Sequence, residues 1–175
     1  MKEKTEKQLC NAFMDLLGRY PFSKITIQKI ASECGVNRQT VYYHYDNIYD
    51  LMKAAFEEEL IVESGMYEVK SWDIAMTRLL KWMKERRFII KNILSNTDIH
   101  YLRQTIYPLI LKCMTGEYMP TRIIRPDQKL DNNFVQYFLT LGITQYILEW
   151  AESDFKESEE DIIHNFMDLL KKVYE

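Results

Sequence analysis

Apolar residues recur with a helical period along most of this chain. Leu9, Phe13, Leu16, Leu17 and Tyr20 fall at i, i+4, i+7, i+8 and i+11, one stripe of a 3.6-residue repeat. They predict a first helix from about Lys4 to Tyr20, which Pro21 ends. Ile27, Ile30 and Ala31 form one face of a short second helix from Thr26 to Cys34, with Thr26 placed to cap it. Gly35 then supplies a residue that can take a positive φ, and Asn37 offers a side-chain oxygen to cap a third short helix through Tyr43. A fourth helix is expected from near Asn47 to about Glu63, tracked by Leu51, Ala54, Ala55, Glu58 and Ile61. Ser71 is expected to cap a fifth, running through Arg86 with Ile74, Leu79, Leu80, Trp82 and Met83 as its apolar content. A short apolar sixth helix covers Phe88 to Leu94. Thr97 is expected to cap a seventh to about Met114, which Pro108 should kink or split.

Residues 115–130 hold one Gly and two Pro without a period and read as a loop. Asp131 is expected to cap a long eighth helix, Asn132 to about Trp150. Phe134, Phe138, Leu141 and Leu148 lie on one side of it, and Val135, Leu139, Ile143, Tyr146 and Trp150 on another. A helix apolar on two sides is buried on two sides. In so short a chain the second side is most simply a subunit interface. Ser158 and Asp161 have capping-box spacing before a ninth helix that repeats Ile162, Ile163, Phe166, Leu169, Leu170 and Val173. The last two helices are expected to pair with their copies in a four-helix bundle. The interface residues read from the pattern are Val135, Leu139, Ile143, Tyr146, Trp150, Ile162, Phe166, Leu169 and Leu170.

The fold class expected is therefore all-α: a three-helix head, residues 1–46, ahead of a helical body, residues 47–175. Apolar residues are 47% of the chain, enough for a core, and only 5 Gly and 4 Pro fit long helices with few turns. The net charge of −3 gives no global basic signature, but its distribution is uneven. Residues 1–50 carry seven Lys/Arg against six Asp/Glu, and the remainder sixteen against twenty. A near-neutral head thus sits on an acidic body.

The stretch 26–51, TIQKIASECGVNRQTVYYHYDNIYDL, carries the chemistry. Two short helices around a tight turn form a helix-turn-helix, whose second helix lies in the DNA major groove with its N-terminal side chains at the base edges. Asn37, Arg38, Gln39 and Thr40 stand at those positions. Arg38 and Gln39 are the base-reading candidates, since Arg suits guanine and Gln suits adenine in bidentate pairs. Thr40 is placed for a thymine methyl or a phosphate; Thr26, Tyr42, Tyr43 and His44 for phosphates; Val41 and Tyr45 for the core.

The stretch resembles the DNA-binding motif of the TetR family of bacterial regulators. The matching elements are Thr26, Ile30-Ala31, Gly35-Val36, the string Thr40-Val41-Tyr42-Tyr43-His44-Tyr45, and Asp50-Leu51 opening the next helix. Two positions depart from the family pattern: Gln39, where a small residue or Gly is usual, and Ile48, where a lysine is usual. The resemblance implies a sequence-specific transcriptional regulator, a repressor that binds a palindromic operator as a homodimer and is released by a small-molecule effector. It also implies an effector-binding core among helices four to seven, where Trp72, Met76, Trp82, Met83, Tyr101, Arg103 and Tyr107 are the candidates. The body further resembles a branch that includes regulators of dihydroxyacetone kinase operons, one of them an activator working through a partner protein. The alternative reading is thus a co-regulator that acts through a partner which senses the signal.

Other chemistries find little support. No Gly-rich phosphate loop, nucleophile elbow or metal-ligand spacing occurs, so neither an enzyme nor a bound cofactor or metal is expected. Cys10, Cys34 and Cys113 form no CxxC and no cluster with His44, His100 and His164, and Cys10 and Cys34 read as small core residues. The charged start, Lys2 to Lys7, and the interruptions at Asn11 and Asp15 leave no signal peptide. No apolar run approaches the roughly 20 residues of a membrane helix. A cytoplasmic protein is expected.

Overall fold

The computed structural model describes residues 2–62, 65, 71–114 and 132–174. The expected loop at 115–130 and the Asp131 cap lie outside them. Every regular element among the described residues is helical: α1 (Lys2–Arg19), a single 3-10 turn (Phe22–Lys24), α2 (Ile27–Glu33), α3 (Arg38–His44), α4 (Ile48–Val62), α5 (Trp72–Glu85), α6 (Arg87–Asn96), α7 (Ile99–Cys113), α8 (Asn132–Glu152) and α9 (Glu159–Tyr174). The chain forms two compact units. One comprises Met1–Glu63 and Phe88–Thr105, the other Ser64–Arg87 and Ile106–Glu175.

In the first unit α1 packs against α2 and along α4, and α2 packs on α3. Leu9, Phe13 and Leu16 of α1 meet a core of Ile30, Ala31, Val41, Leu51, Met52, Ala55 and Phe56, all fully buried. Phe22 of the 3-10 turn is also buried and stands edge-on to Phe13, with ring centroids 6.3 Å apart. Such a contact adds specific geometry to the area buried. Tyr20, the last residue of the predicted α1 stripe, is instead exposed, under the Lys29 ammonium 3.1 Å from its ring centroid.

In the second unit α5 packs on α9 and α8. Trp72, Met76, Leu79, Leu80, Trp82 and Met83 are buried; Ile74, expected among them, is exposed. Ser71 stands at the α5 N-cap position but accepts no backbone N–H; its hydroxyl donates to the Asp73 carboxylate. Ser158 does cap α9, accepting from Asp161 N at 3.1 Å while its hydroxyl donates to the Asp161 carboxylate. The buried hydroxyls of Thr140 and Thr144 donate to the carbonyls one turn back, at 2.7 and 2.6 Å, so α8 buries them with their hydrogen bonds made.

One further expectation is corrected and another narrowed. Asp98, one residue after the expected Thr97, caps α7: its Oδ1 accepts from His100 N at 2.8 Å. The Thr97 hydroxyl instead lies 3.3 Å from the Tyr49 hydroxyl. Pro108 does not split α7, which runs unbroken through it. In the short α6, Ile90 and Ile93 are buried but Phe88 is largely exposed.

The turn between α8 and α9 has an uncommon backbone. Asp154 and Phe155 take φ of 67° and 56°, the left-handed region that non-glycine residues seldom enter. Phe155 N donates to Trp150 O at 3.0 Å and Asp154 N to Ala151 O at 3.2 Å, the hydrogen-bond pair of a Schellman helix end. The Phe155 ring closes on Trp150, edge to face at 4.7 Å.

The interface reading is corrected as well. Leu139, Ile143, Trp150, Ile162, Phe166 and Leu170 are buried within the chain itself. Phe166 meets Trp72 and Tyr146 edge-on, at 6.3 and 5.3 Å. Val135 is half-buried, and only Tyr146 and Leu169 of the nine are exposed. The exposed apolar stripe of α8 lies on the first half of the other side, Phe134, Tyr137, Phe138 and Leu141 at i, i+3, i+4 and i+7, while Leu148, expected with them, is fully buried. Periodicity identified two apolar sides but not which one the chain itself buries.

Truncating Phe13 to alanine empties the centre of the head core. It should lower unfolding stability by about 3–5 kcal/mol, read as a shift in the urea midpoint with an unchanged slope.

Candidate nucleic-acid interface

The helix-turn-helix is built from caps. Thr26 takes extended backbone angles before α2, and its Oγ1 accepts from Lys29 N at 3.2 Å. At the far end, Gly35 N donates to Ser32 O at 3.2 Å and Val36 N to Ala31 O at 2.9 Å, again a Schellman end. Gly35 holds the left-handed position with φ 65°. Asn37 then caps α3: its Oδ1 accepts from Thr40 N at 2.9 Å and from the Thr40 hydroxyl at 3.2 Å. Thr26, Gly35 and Asn37 thus fix where α2 starts, where it stops and where α3 begins.

The expected reading residues divide by exposure. Arg38, Gln39, Tyr42 and Tyr43 are exposed, Tyr43 at 76%, while Val41 between them is fully buried. Thr40 is half-buried with its hydroxyl turned to Asn37. Because the Thr26 oxygen accepts from the backbone, its hydrogen remains available to an outside acceptor.

His44 departs from expectation. Its side chain is 4% exposed, and its Nδ1 lies 3.1 Å from Glu6 Oε1. It ties α3 to α1 rather than facing outward. Tyr45 does the same: its hydroxyl lies 3.5 Å from Cys10 Sγ. Burial, then their mutual contact, sets these two groups. Burial pushes both the Cys10 thiol and the Tyr45 phenol up, so both stay neutral near pH 7. An open cleft of about 650 Å³ runs beside this contact, lined by Glu3, Lys4, Glu6, Lys7, Glu57 and Glu58 among others. Its charges are mixed, with Lys7 paired to Glu58 at 3.2 Å.

The seven expected effector residues fall in both units. Trp72, Met76, Trp82, Met83 and Tyr107 belong to the second, Tyr101 and Arg103 to the first. Trp72, Met76, Trp82 and Met83 are filled core, and the Trp72 indole N–H points at Met114 Sδ, 3.0 Å away. Tyr101 stacks face to face on Tyr49 at 3.6 Å. Arg103 and Tyr107 are half-buried. Sequence reasoning passed over Asn92, whose amide reaches the chain just before the helix-turn-helix. A single Asn in an apolar run carries no signal of its own.

Sequence profiles agree with this geometry. Residues 10–55 match the family described as bacterial regulatory proteins, tetR family, and residues 70–172 match the transcriptional regulator C-terminal region. The chain belongs to the TetR family. It is a transcriptional regulator with a DNA-binding helix-turn-helix and a helical C-terminal body. Among named relatives, the HTH-type dhaKLM operon transcriptional activator DhaS of Lactococcus lactis is 27% identical over 92 residues. That stretch is 51% of this chain and 48% of the relative, so the match spans about half of the relative's length. Of solved structures, the dihydroxyacetone kinase operon activator DhaS superposes with a TM-score of 0.64 at 21% identity, covering 97% of this chain and 96% of that one. A TetR regulator from Streptococcus agalactiae gives 0.58 at 22% identity, covering 99% and 96%. At these identities the two structures share the family's fold. Among the described residues no helix is long and apolar enough to cross a membrane.

A Cβ added at Gly35 would meet nothing within 4 Å, so Gly35→Ala isolates the cost of the left-handed backbone. Thermal or urea unfolding should show a loss of about 1–2 kcal/mol. A much larger loss would mean that the turn is crowded.

Proposed function

We propose that this regulator binds a palindromic operator as a homodimer and that a small-molecule effector releases it, the behaviour of a repressor. The carrying observation is the outward face of α3, where Arg38, Gln39, Tyr42 and Tyr43 are exposed on a helix fixed by the Asn37 cap. In this reading Arg38 and Gln39 reach base edges, the Thr40 methyl meets a thymine or a sugar, and Thr26, Tyr42 and Tyr43 hold phosphates. Asn37 acts through the cap it makes. Half-sites would lie about one helical turn, roughly 34 Å, or a little more apart. An effector that favours a different head spacing would lower operator affinity by shifting the population.

The dimer is supported by the exposed stripe Phe134, Tyr137, Phe138 and Leu141 on α8, with Leu169 exposed on α9. Phe134 and Phe138 present nearly parallel rings 6.2 Å apart. Contiguous apolar surface of this kind marks a protein contact, and a two-fold dimer would bring each stripe onto its copy. A second reading, transcriptional activation, is favoured by the Lactococcus lactis relative, whose name calls it an operon activator. Deleting the gene separates the two: a repressor's target transcript rises and an activator's falls.

Two measurements test the proposal. Binding of the purified protein to its own upstream intergenic DNA, across a salt series and beside an unrelated duplex, should be selective and fall steeply with salt. Arg38→Ala should cost about 1–3 kcal/mol and relax preference at one base pair per half-site. Equal, weak binding to both duplexes would remove the stand-alone operator reading. Separately, Phe138→Glu buries a charge in the proposed interface, and sedimentation should show a monomer that keeps its helicity. A dimer unchanged by the substitution would place the interface elsewhere.

A further inference from the structure

α3 is held on the rest of the head at few points. Val41 is the one residue of α3 that is fully buried. A short helix seated on a single buried side chain can pivot about it. The Asn37 cap fixes where α3 starts but acts only within its first turn. The restraint on its direction comes from the other end. His44, the last residue of α3, turns its ring inward, with its side chain 4% exposed and its Nδ1 3.1 Å from Glu6 Oε1. A carboxylate only accepts, so Nδ1 carries the proton and donates. The hydroxyl of the next residue, Tyr45, lies 3.5 Å from Cys10 Sγ. Glu6 and Cys10 are one turn apart on the same face of α1. The end of α3 thus docks on two successive turns of α1.

The two ties are unequal. A thiol is a weak hydrogen-bonding group, whereas a bond to a carboxylate is charge-assisted and directional. The outward Tyr43 ring also rests edge-on against the His44 ring, with centroids 5.1 Å apart, so what fixes His44 fixes Tyr43. Arg38 opens α3 and His44 closes it, about 9 Å further along the axis. A tilt of about 10° between those ends shifts Arg38 by about 1.5 Å, more than a bidentate contact to a base edge tolerates.

We infer that Glu6 is a positioning residue for base reading: through His44 it fixes the tilt of α3, and so the aim of Arg38 and Gln39. This inference rests on the operator-binding reading above. The expected effect runs against the charge. A carboxylate near DNA is repelled by phosphates, so losing its charge favours binding to any duplex. Losing the tie acts the other way, and on the operator alone. Glu6→Gln and Glu6→Ala remove the same charge, but only glutamine keeps an oxygen that accepts from His44 Nδ1. Affinity should be measured for the operator and for an unrelated duplex at one salt concentration. Glu6→Gln should keep the wild-type ratio of the two. Glu6→Ala should bind the unrelated duplex as Glu6→Gln does, and the operator about fivefold more weakly, the scale of one modest hydrogen bond. Partial unfolding would weaken both duplexes alike and leave the ratio unchanged. Equal ratios in the two variants would overturn the inference. Adding His44→Ala to Glu6→Ala should cost little further selectivity, and a full independent loss would show that Glu6 does not act through His44.

Peptide-level hydrogen exchange on the DNA-free protein gives an arm independent of the operator. Residues 38–45 should exchange faster in Glu6→Ala than in Glu6→Gln, while α8 and α9 exchange alike in both. Equal exchange over 38–45 overturns the tie. If the wild type shows no selective DNA binding, the operator reading fails and the aiming of Arg38 falls with it, and exchange then decides whether Glu6 holds α3.

Discussion

The helix-turn-helix rests on the buried face of α1. α2 and α3 have seven residues each, too few to be stable alone. They exist because Ile30, Ala31 and Val41 have α1 and its neighbours to bury against. α1 gathers most of the head's attachments: Leu9, Phe13 and Leu16 through the core, Cys10 to Tyr45, Glu6 to His44, and its last carbonyls to Asn92. With its apolar side spent inward, α3 presents only what the caps leave outside, the polar and aromatic row from Arg38 to Tyr43. Burial selects the face, and the caps set its register.

Much of the head was legible in the sequence because its punctuation is local. Thr26, Gly35 and Asn37 each act on residues within five positions, and each does the job its chemistry names. The contacts of His44 and Asn92 were not legible for the opposite reason. Glu6 lies 38 residues from His44, and Leu17 lies 75 from Asn92. A histidine after a recognition helix reads equally well as a phosphate donor or as a tie to another helix. Only the fold brings Glu6 to it.

The body was legible as helices and much less so as faces. α5 has one apolar stripe, and its buried residues are nearly those the period names, with Ile74 the exception. α8 is apolar on two sides, so the sequence requires two burials without ranking them. The ranking comes from the fold: α5 packs on both α8 and α9, and Leu139, Ile143 and Trp150 are buried with Ile162, Phe166 and Leu170. The side carrying Phe134, Tyr137, Phe138 and Leu141 is left outside, and a second copy of the chain can cover it. Ser71 and Thr97 show the same limit at small scale: a hydroxyl near a helix start is a candidate cap, and the backbone of the first turn decides whether it or a neighbour such as Asp98 is placed to accept.

The two Schellman ends place their strain differently. At Gly35 the left-handed residue is a glycine, so the turn after α2 is conformationally cheap from the first moment the helix forms. At Asp154 and Phe155 two side-chain-bearing residues occupy that region together; aspartate enters it more readily than most, a phenylalanine seldom. The Phe155 ring closes edge-on against Trp150, and the Trp150 indole N–H donates to Glu157 O at 3.0 Å, so both residues are held by contacts across the turn. The turn after α2 is thus held by the freedom of one glycine, and the turn after α8 by side chains that close over it from both ends.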